Sequence, residues 1–121
     1  MADLKFSEFM KMQDELQKKY AGIWRPLKPE FGQDCLLWMV EEIGEVAAIF
    51  KKRGYQAILD DPEVRDHFAE ELSDVLMYYC DLLESYGFTS EEFCQAYMKK
   101  HERNMKRDFQ TEHSQYLKSN V

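Results

Sequence analysis

Glycine and proline are scarce in this chain, at 5 and 3 of 121 residues, too few for the many tight turns of a β-sandwich. Cysteine is sparse as well. Cys35, Cys80 and Cys94 are odd in number, widely spaced and without a C-x-x-C pair, which speaks against a disulfide scaffold or a structural zinc site and for reduced packing residues in the cytoplasm. Positive charge is in deficit, with 16 Lys and Arg against 23 Asp and Glu and a net charge of −7. Nucleic acid is therefore a poor candidate partner, because phosphate-backbone affinity rests on clustered cations. No apolar run approaches a bilayer span, and the N-terminus lacks a signal-peptide pattern. The expectation is a soluble cytoplasmic protein with no membrane partner. G-x-x-x-x-G-K-[ST], G-x-G-x-x-G and H-E-x-x-H are all absent, so any phosphate is bound without a P-loop or Rossmann turn. None of the 3 histidines lies three residues after a glutamate, which counts against E-x-x-H di-iron bundles.

What is present is helical periodicity. With 45% apolar and 14% aromatic residues, one compact domain over residues 1–121 is expected. Residues from Leu4 to Tyr20 read as an amphipathic helix, and Gly22, Pro26, Pro29 and Gly32 mark a loop after it. A second helix runs from Gln33 or Asp34 to about Lys52, with Leu36, Met39, Val40, Ile43, Val46, Ala47 and Phe50 on one face, and Arg53-Gly54 ends it. Asp61-Pro62 reads as an N-cap and first helical position opening a third helix to Tyr86, whose stripe is Phe68, Leu72, Val75, Tyr79, Leu82 and Tyr86. Gly87 suits a C-cap. Thr89-Ser90-Glu91-Glu92 fits a capping box for a fourth helix ending near Asp108. Residues 109–121 are polar and read as a loose tail or a docking arm. The fold class is all-α and four-helix-bundle-like.

Two pairs of acids stand out within this frame. Glu42 and Glu45 are three residues apart on the second helix, and Glu71 and Asp74 repeat the spacing on the third, so each pair shares a face with Cβ atoms about 5–6 Å apart. Trp38 and Ile49 flank the first pair and Tyr78 the second. Four carboxylates gathered between apolar neighbours repel one another and lose hydration unless cations occupy the place. Hard oxygen donors without cysteine or nearby histidine suit Mg²⁺, with Mn²⁺ able to substitute. The alternative is that all four are surface charges in helix ion pairs. Lys100, Asn104 and Arg107, at i, i+4 and i+7, form a row of donors that could grip phosphate or simply complement a helix dipole.

Glu41-Glu42-Ile43-Gly44-Glu45 followed by Glu71-Leu72-Ser73-Asp74 resembles the E-E-x-x-E … E-x-x-D signature of the MazG-like, all-α nucleoside triphosphate pyrophosphohydrolases. Lys100, Asn104 and Arg107 resemble a downstream K-x-x-x-N-x-x-R element of some members, and the motif-bearing core is 33–107. The resemblance implies that Glu42, Glu45, Glu71 and Asp74 bind magnesium. It also implies cleavage of a (deoxy)nucleoside triphosphate between the α and β phosphates, giving the monophosphate and pyrophosphate, with nucleotide-pool cleansing as one setting. The metals would neutralise the triphosphate and polarise the attacked phosphorus. Glu41 is a candidate for orienting or deprotonating the attacking water, or an exposed helix charge. Lys52, two turns beyond Glu45, is a further phosphate candidate or a solvated lysine. Trp38 and Trp24 are candidate walls of a base pocket, or core or interface residues. Members of the family are homodimers or homotetramers, and aromatics such as Phe6, Phe9 and Tyr20 are compatible with an assembly. Two rival readings stay open: phosphoribosyl-ATP pyrophosphohydrolase activity within the same fold, and a non-catalytic helical module that binds a partner.

Overall fold

The computed structural model describes residues 3–119. They form α1 (Phe6–Lys19), a short 3₁₀ turn (Pro29–Phe31), α2 (Gly32–Asp60), α3 (Pro62–Ser85), α4 (Ser90–Lys106) and α5 (Phe109–Ser119). Among the described residues no strand forms; one isolated bridge joins Ala21 and Trp24. The all-α expectation holds. The number of helices does not, because the segment expected as a tail is the helix α5, opened by Asp108, whose carboxylate accepts from the Thr111 backbone N–H and hydroxyl.

The helix boundaries follow local chemistry. Asp61 accepts from the Glu63 backbone N–H at 3.0 Å and Pro62 takes the first position of α3. At the other end Gly87, at φ +72°, closes a Schellman motif, with Phe88 N–H donating to Leu83 and Gly87 N–H to Glu84. Gly54 interrupts the helix where its sequence signal places the break. It stands at φ 79°, ψ 165°, a non-helical conformation open only to glycine, so the first helical run stops here and α2 consists of two runs joined across a kink. The chain resumes helical geometry to Asp60, because Ala57 and Ile58 beyond the kink pack with Ile49, Val64 and Phe68 into the small core cluster.

The chain divides into two compact units, between Ser90 and Glu91. In the first, α2 and α3 form a long helical hairpin and α1 packs on α3. The faces that meet in the hairpin are not the stripes with the most apolar residues. On α2 the inward residues are Cys35, Met39, Glu42, Val46 and Ile49, while Leu36, Leu37, Val40, Ile43, Ala47 and Phe50 are exposed. On α3 the inward line runs Val64, Phe68, Glu71, Tyr78, Asp81 and Ser85, while Leu72 and Tyr86 are exposed. Apolar periodicity identifies a stripe but not which neighbour covers it. Phe6, Phe9 and Tyr20 are half-buried, so they are not the exposed aromatics of this chain. The second unit contains α5 and nearly all of α4, with Tyr97, Met98, Met105, Phe109, Tyr116 and Leu117 exposed.

Candidate active site

The i, i+3 spacing puts Glu42 on the inward face of α2 and Glu71 and Asp74 on that of α3, and the hairpin brings the two faces together. One carboxylate oxygen from each of Glu42, Glu71 and Asp74 lies within 4.8 Å of the others, and all three residues are half-buried. Glu45, one turn along from Glu42, is exposed and stands outside this trio. Partial burial raises the Glu42 carboxyl above its usual range, and the Asp74 charge, a hydrogen bond to Glu71 and the Glu71 and Glu45 charges push the same way. His67, one turn before Glu71, lies 3.9 Å from its carboxylate, so a histidine stands nearer the acids than the sequence reading supposed.

The acids border a cleft of about 660 Å³ enclosed by α1, the loop that follows it, α2 and α3. Glu42 and Asp74 line it, together with Glu41, Trp38, Tyr78, Trp24 and Arg25. The Trp38 and Tyr78 rings are tilted at 6.0 Å between centroids, and Trp24 stacks on Tyr20 at 4.5 Å. Arg25 is held by an ion pair to Asp34 and lies over the Phe31 ring. The loop is thereby tied to the start of α2, which sets Trp24 against the cleft. Trp24, Trp38 and Glu41, singled out from the sequence, are thus placed along this cleft. Gln13, Asp81 and Arg25, which no motif in the sequence singles out, also line the cleft. A signal was available, since Gln13 and Asp81 are polar residues in register with the apolar faces of α1 and α3.

Lys52 is exposed on α2. In the second unit Lys100 is exposed on α4, and Asn104 has its side-chain oxygen buried without a hydrogen-bond partner. Arg107 lies one residue past the end of α4, where Glu112 accepts from its Nε at 2.8 Å and from a terminal nitrogen at 2.6 Å. Its guanidinium also covers the Phe109 ring at 4.5 Å. That pairing occupies the arginine within its own unit. Cys35 and Cys80 are buried and Cys94 is exposed, all three as free thiols, so the packing role expected of the cysteines applies to two of them. Among the described residues no helix is long and apolar enough to cross a membrane.

Comparison with curated proteins finds no match, and neither does comparison with solved structures. Comparison with protein-family models does. The model described as the MazG nucleotide pyrophosphohydrolase domain matches residues 32–109, a stretch that holds both acid pairs, the inward faces of α2 and α3 and all of α4. That match covers well over half of the chain, and the chain belongs to the MazG nucleotide pyrophosphohydrolase family.

Proposed function

We propose that this protein hydrolyses a (deoxy)nucleoside triphosphate between the α and β phosphates, with magnesium held by Glu42, Glu71 and Asp74. The observation that carries the reading is that Glu42 and Asp74 belong both to the carboxylate trio and to the wall of an aromatic-lined cleft. A hard-cation site thus opens directly onto a space of nucleotide size. The donor set fits Mg²⁺, or Mn²⁺ in its place, because all three groups are carboxylates. Bound metal supplies charge neutralisation for the triphosphate and Lewis-acid polarisation at phosphorus. Glu45, exposed one turn from Glu42, would be the fourth acid of the ligand set. Glu41 lines the cleft one residue from Glu42 and is our candidate for orienting the attacking water. Trp38, Tyr78 and Trp24 form the walls for the base, and Lys52, Lys100, Asn104 and Arg107 are our candidate phosphate contacts. For Arg107 that role requires release from Glu112. The matched region, residues 32–109, spans both compact units, which supports treating the chain as one functional domain. Three free thiols suit a reducing compartment, in keeping with nucleotide-pool cleansing in the cytoplasm.

A panel of canonical and modified NTPs and dNTPs with Mg²⁺, together with phosphoribosyl-ATP, tests the reaction. Pyrophosphate is expected as the first product of at least one (deoxy)nucleoside triphosphate. Orthophosphate as the primary product would sink the α–β assignment, turnover of phosphoribosyl-ATP alone would favour that rival, and no turnover by folded protein would favour a binding module.

We also propose that the working form is a homodimer or homotetramer. Leu36, Val40, Ile43, Ala47 and Phe50 repeat at helical spacing along the exposed side of α2, and an apolar stripe of that length on a lone chain calls for a covering surface. Sedimentation of the native protein should give a multiple of the chain mass of 14.5 kDa, and Val40→Asp with Ile43→Glu should give the monomer. A native monomer at micromolar concentration would refute the assembly.

A further inference from the structure

The cleft continues past the acids, and its far end is built from groups that the proposed hydrolysis does not use. Asp74, Tyr78 and Asp81 follow one another along a single face of α3, which sets Asp81 about 10 Å from Asp74 along the helix axis. Across the hairpin, Glu42, Trp38 and Cys35 step the same way along α2. The ring pair Trp38–Tyr78 and the Cys35–Ser85 contact at 3.9 Å show that the two helices run in register. The cleft is therefore layered: carboxylates at one end, aromatic rings in the middle, and Asp81 beyond them with Gln13 of α1. This order and length suit a nucleotide lying with phosphates at the acids, its base between or against the rings, and the base edge at Asp81.

The chemistry of that last layer is specific. Asp81 is only 4% exposed and Gln13 6%, yet both line the cleft. The Gln13 amide nitrogen donates to Asp81 at 3.0 Å, and a hydrogen bond from Gln17 adds a second amide. Amides, in place of a cation, are the partners of this buried carboxylate. Such an arrangement is costly as mere packing. A carboxylate has about four acceptor sites and a primary amide two donors, so the cluster retains capacity to accept and to donate after its internal hydrogen bonds are made. Burial pushes the Asp81 carboxyl up to about 6, which leaves it mostly ionised, and so an acceptor, at neutral pH.

We propose that Asp81 and Gln13 select the base of the bound nucleotide by the ring substituent furthest from the sugar, taking an amino group there and rejecting an oxo group. Asp81 accepts from the amino group of cytosine or adenine, and the second Gln13 N–H donates to the adjacent unprotonated ring nitrogen. Uracil, thymine, hypoxanthine and guanine place an oxo oxygen against the carboxylate and lose the contact. The inference rests on the proposed nucleotide hydrolysis, which sets the phosphates at Glu42, Glu71 and Asp74.

The test compares pairs that differ in that substituent: dCTP with dUTP, and dATP with dITP. Pyrophosphate release is measured with Mg²⁺, and the affinity of the corresponding monophosphates is measured by calorimetry. Each amino base should exceed its oxo counterpart in kcat/KM, and in monophosphate affinity, on the order of 10- to 100-fold. Asp81→Asn preserves an acceptor for Gln13 and adds a donor for an oxo group, so it should bring each ratio to within a few-fold, mainly through KM. Oxo bases equal to or better than amino bases in the native enzyme would overturn the proposal. So would ratios unmoved by Asp81→Asn, or no affinity for any of the four monophosphates. If Asp81→Asn does not fold, the native ratios decide. Should no triphosphate release pyrophosphate, the hydrolysis reading falls by itself, and the monophosphate affinities still decide the base preference.

Discussion

Asp74→Asn is expected to lower pyrophosphate release by about three orders of magnitude or more, while helix content stays unchanged. The substitution alters no volume, so packing is not at issue. What changes is charge at a place where carboxylates of three residues converge within 4.8 Å. The Asp74 charge is the largest of the neighbouring charges holding the Glu42 carboxyl up. In metal-free buffer, its removal should therefore leave stability equal or slightly raised, because repulsion within the trio falls. In Mg²⁺ the comparison should reverse. If a cation binds only the folded trio, native protein should gain about 2.7 kcal/mol at a concentration 100 times the dissociation constant, and the variant should lose most of that gain. Thermal unfolding with and without Mg²⁺, alongside turnover, measures both effects. Near-native turnover by Asp74→Asn, or an equal Mg²⁺ shift in the two proteins, would remove the trio from the mechanism.

A second large effect is expected at the other end of the cleft. Asp81→Asn should stabilise the protein at pH 7 by on the order of 2–3 kcal/mol. Burial is the main cause that raises the Asp81 carboxyl from 3.8 to about 6, against the opposing pull of the Gln13 and Gln17 amides. The sign follows from proton binding. Between pH 4 and 6 the folded chain holds a proton at Asp81 that the unfolded chain has released, so unfolding becomes easier as pH rises through that window and levels off above it. Glu84, raised to about 7 by burial and by its hydrogen bond to Asp14, contributes with the same sign up to neutral pH. The Arg107–Glu112 ion pair, which holds the Glu112 carboxyl below its usual range, acts in the opposite direction at low pH, so the difference between variant and native protein is the informative quantity. Urea unfolding at pH 4 and pH 7 should show that difference growing with pH. A variant no more stable than native protein at pH 7 would show that Asp81 carries no buried charge there. A side chain that lowers stability while lining the cleft is the expected pattern for a group retained for binding.

Much of this molecule is legible locally. Asp61-Pro62 and Gly87 set the bounds of α3 through hydrogen bonds within a few residues of themselves. The all-α class follows from periodicity and from the scarcity of turn residues. The i, i+3 acid pairs are a property of the sequence too, since a helix of 3.6 residues per turn places Glu71 beside Asp74 whatever surrounds it. Local signals do not reach what a distant contact decides. Gly54 breaks the helix as its signal says, but the second helical run beyond it, to Asp60, is held by Ala57 and Ile58 packing with Val64 and Phe68, partners that local sequence does not show.

Tertiary structure alone decided which faces meet. The richest apolar stripe of α2 points outward, and the inward stripe carries Glu42 and leaves Glu45 exposed. Two acids one turn apart thus acquire different surroundings, because the α2–α3 hairpin covers only part of each helix. Gln13 and Asp81 are 68 residues apart and meet only when α1 packs on α3. Helical spacing is a short-range geometry and can be counted along the chain. Burial, and with it the raised carboxyls of Glu42 and Asp81, is created by whichever element arrives opposite, so it belongs to the assembled fold.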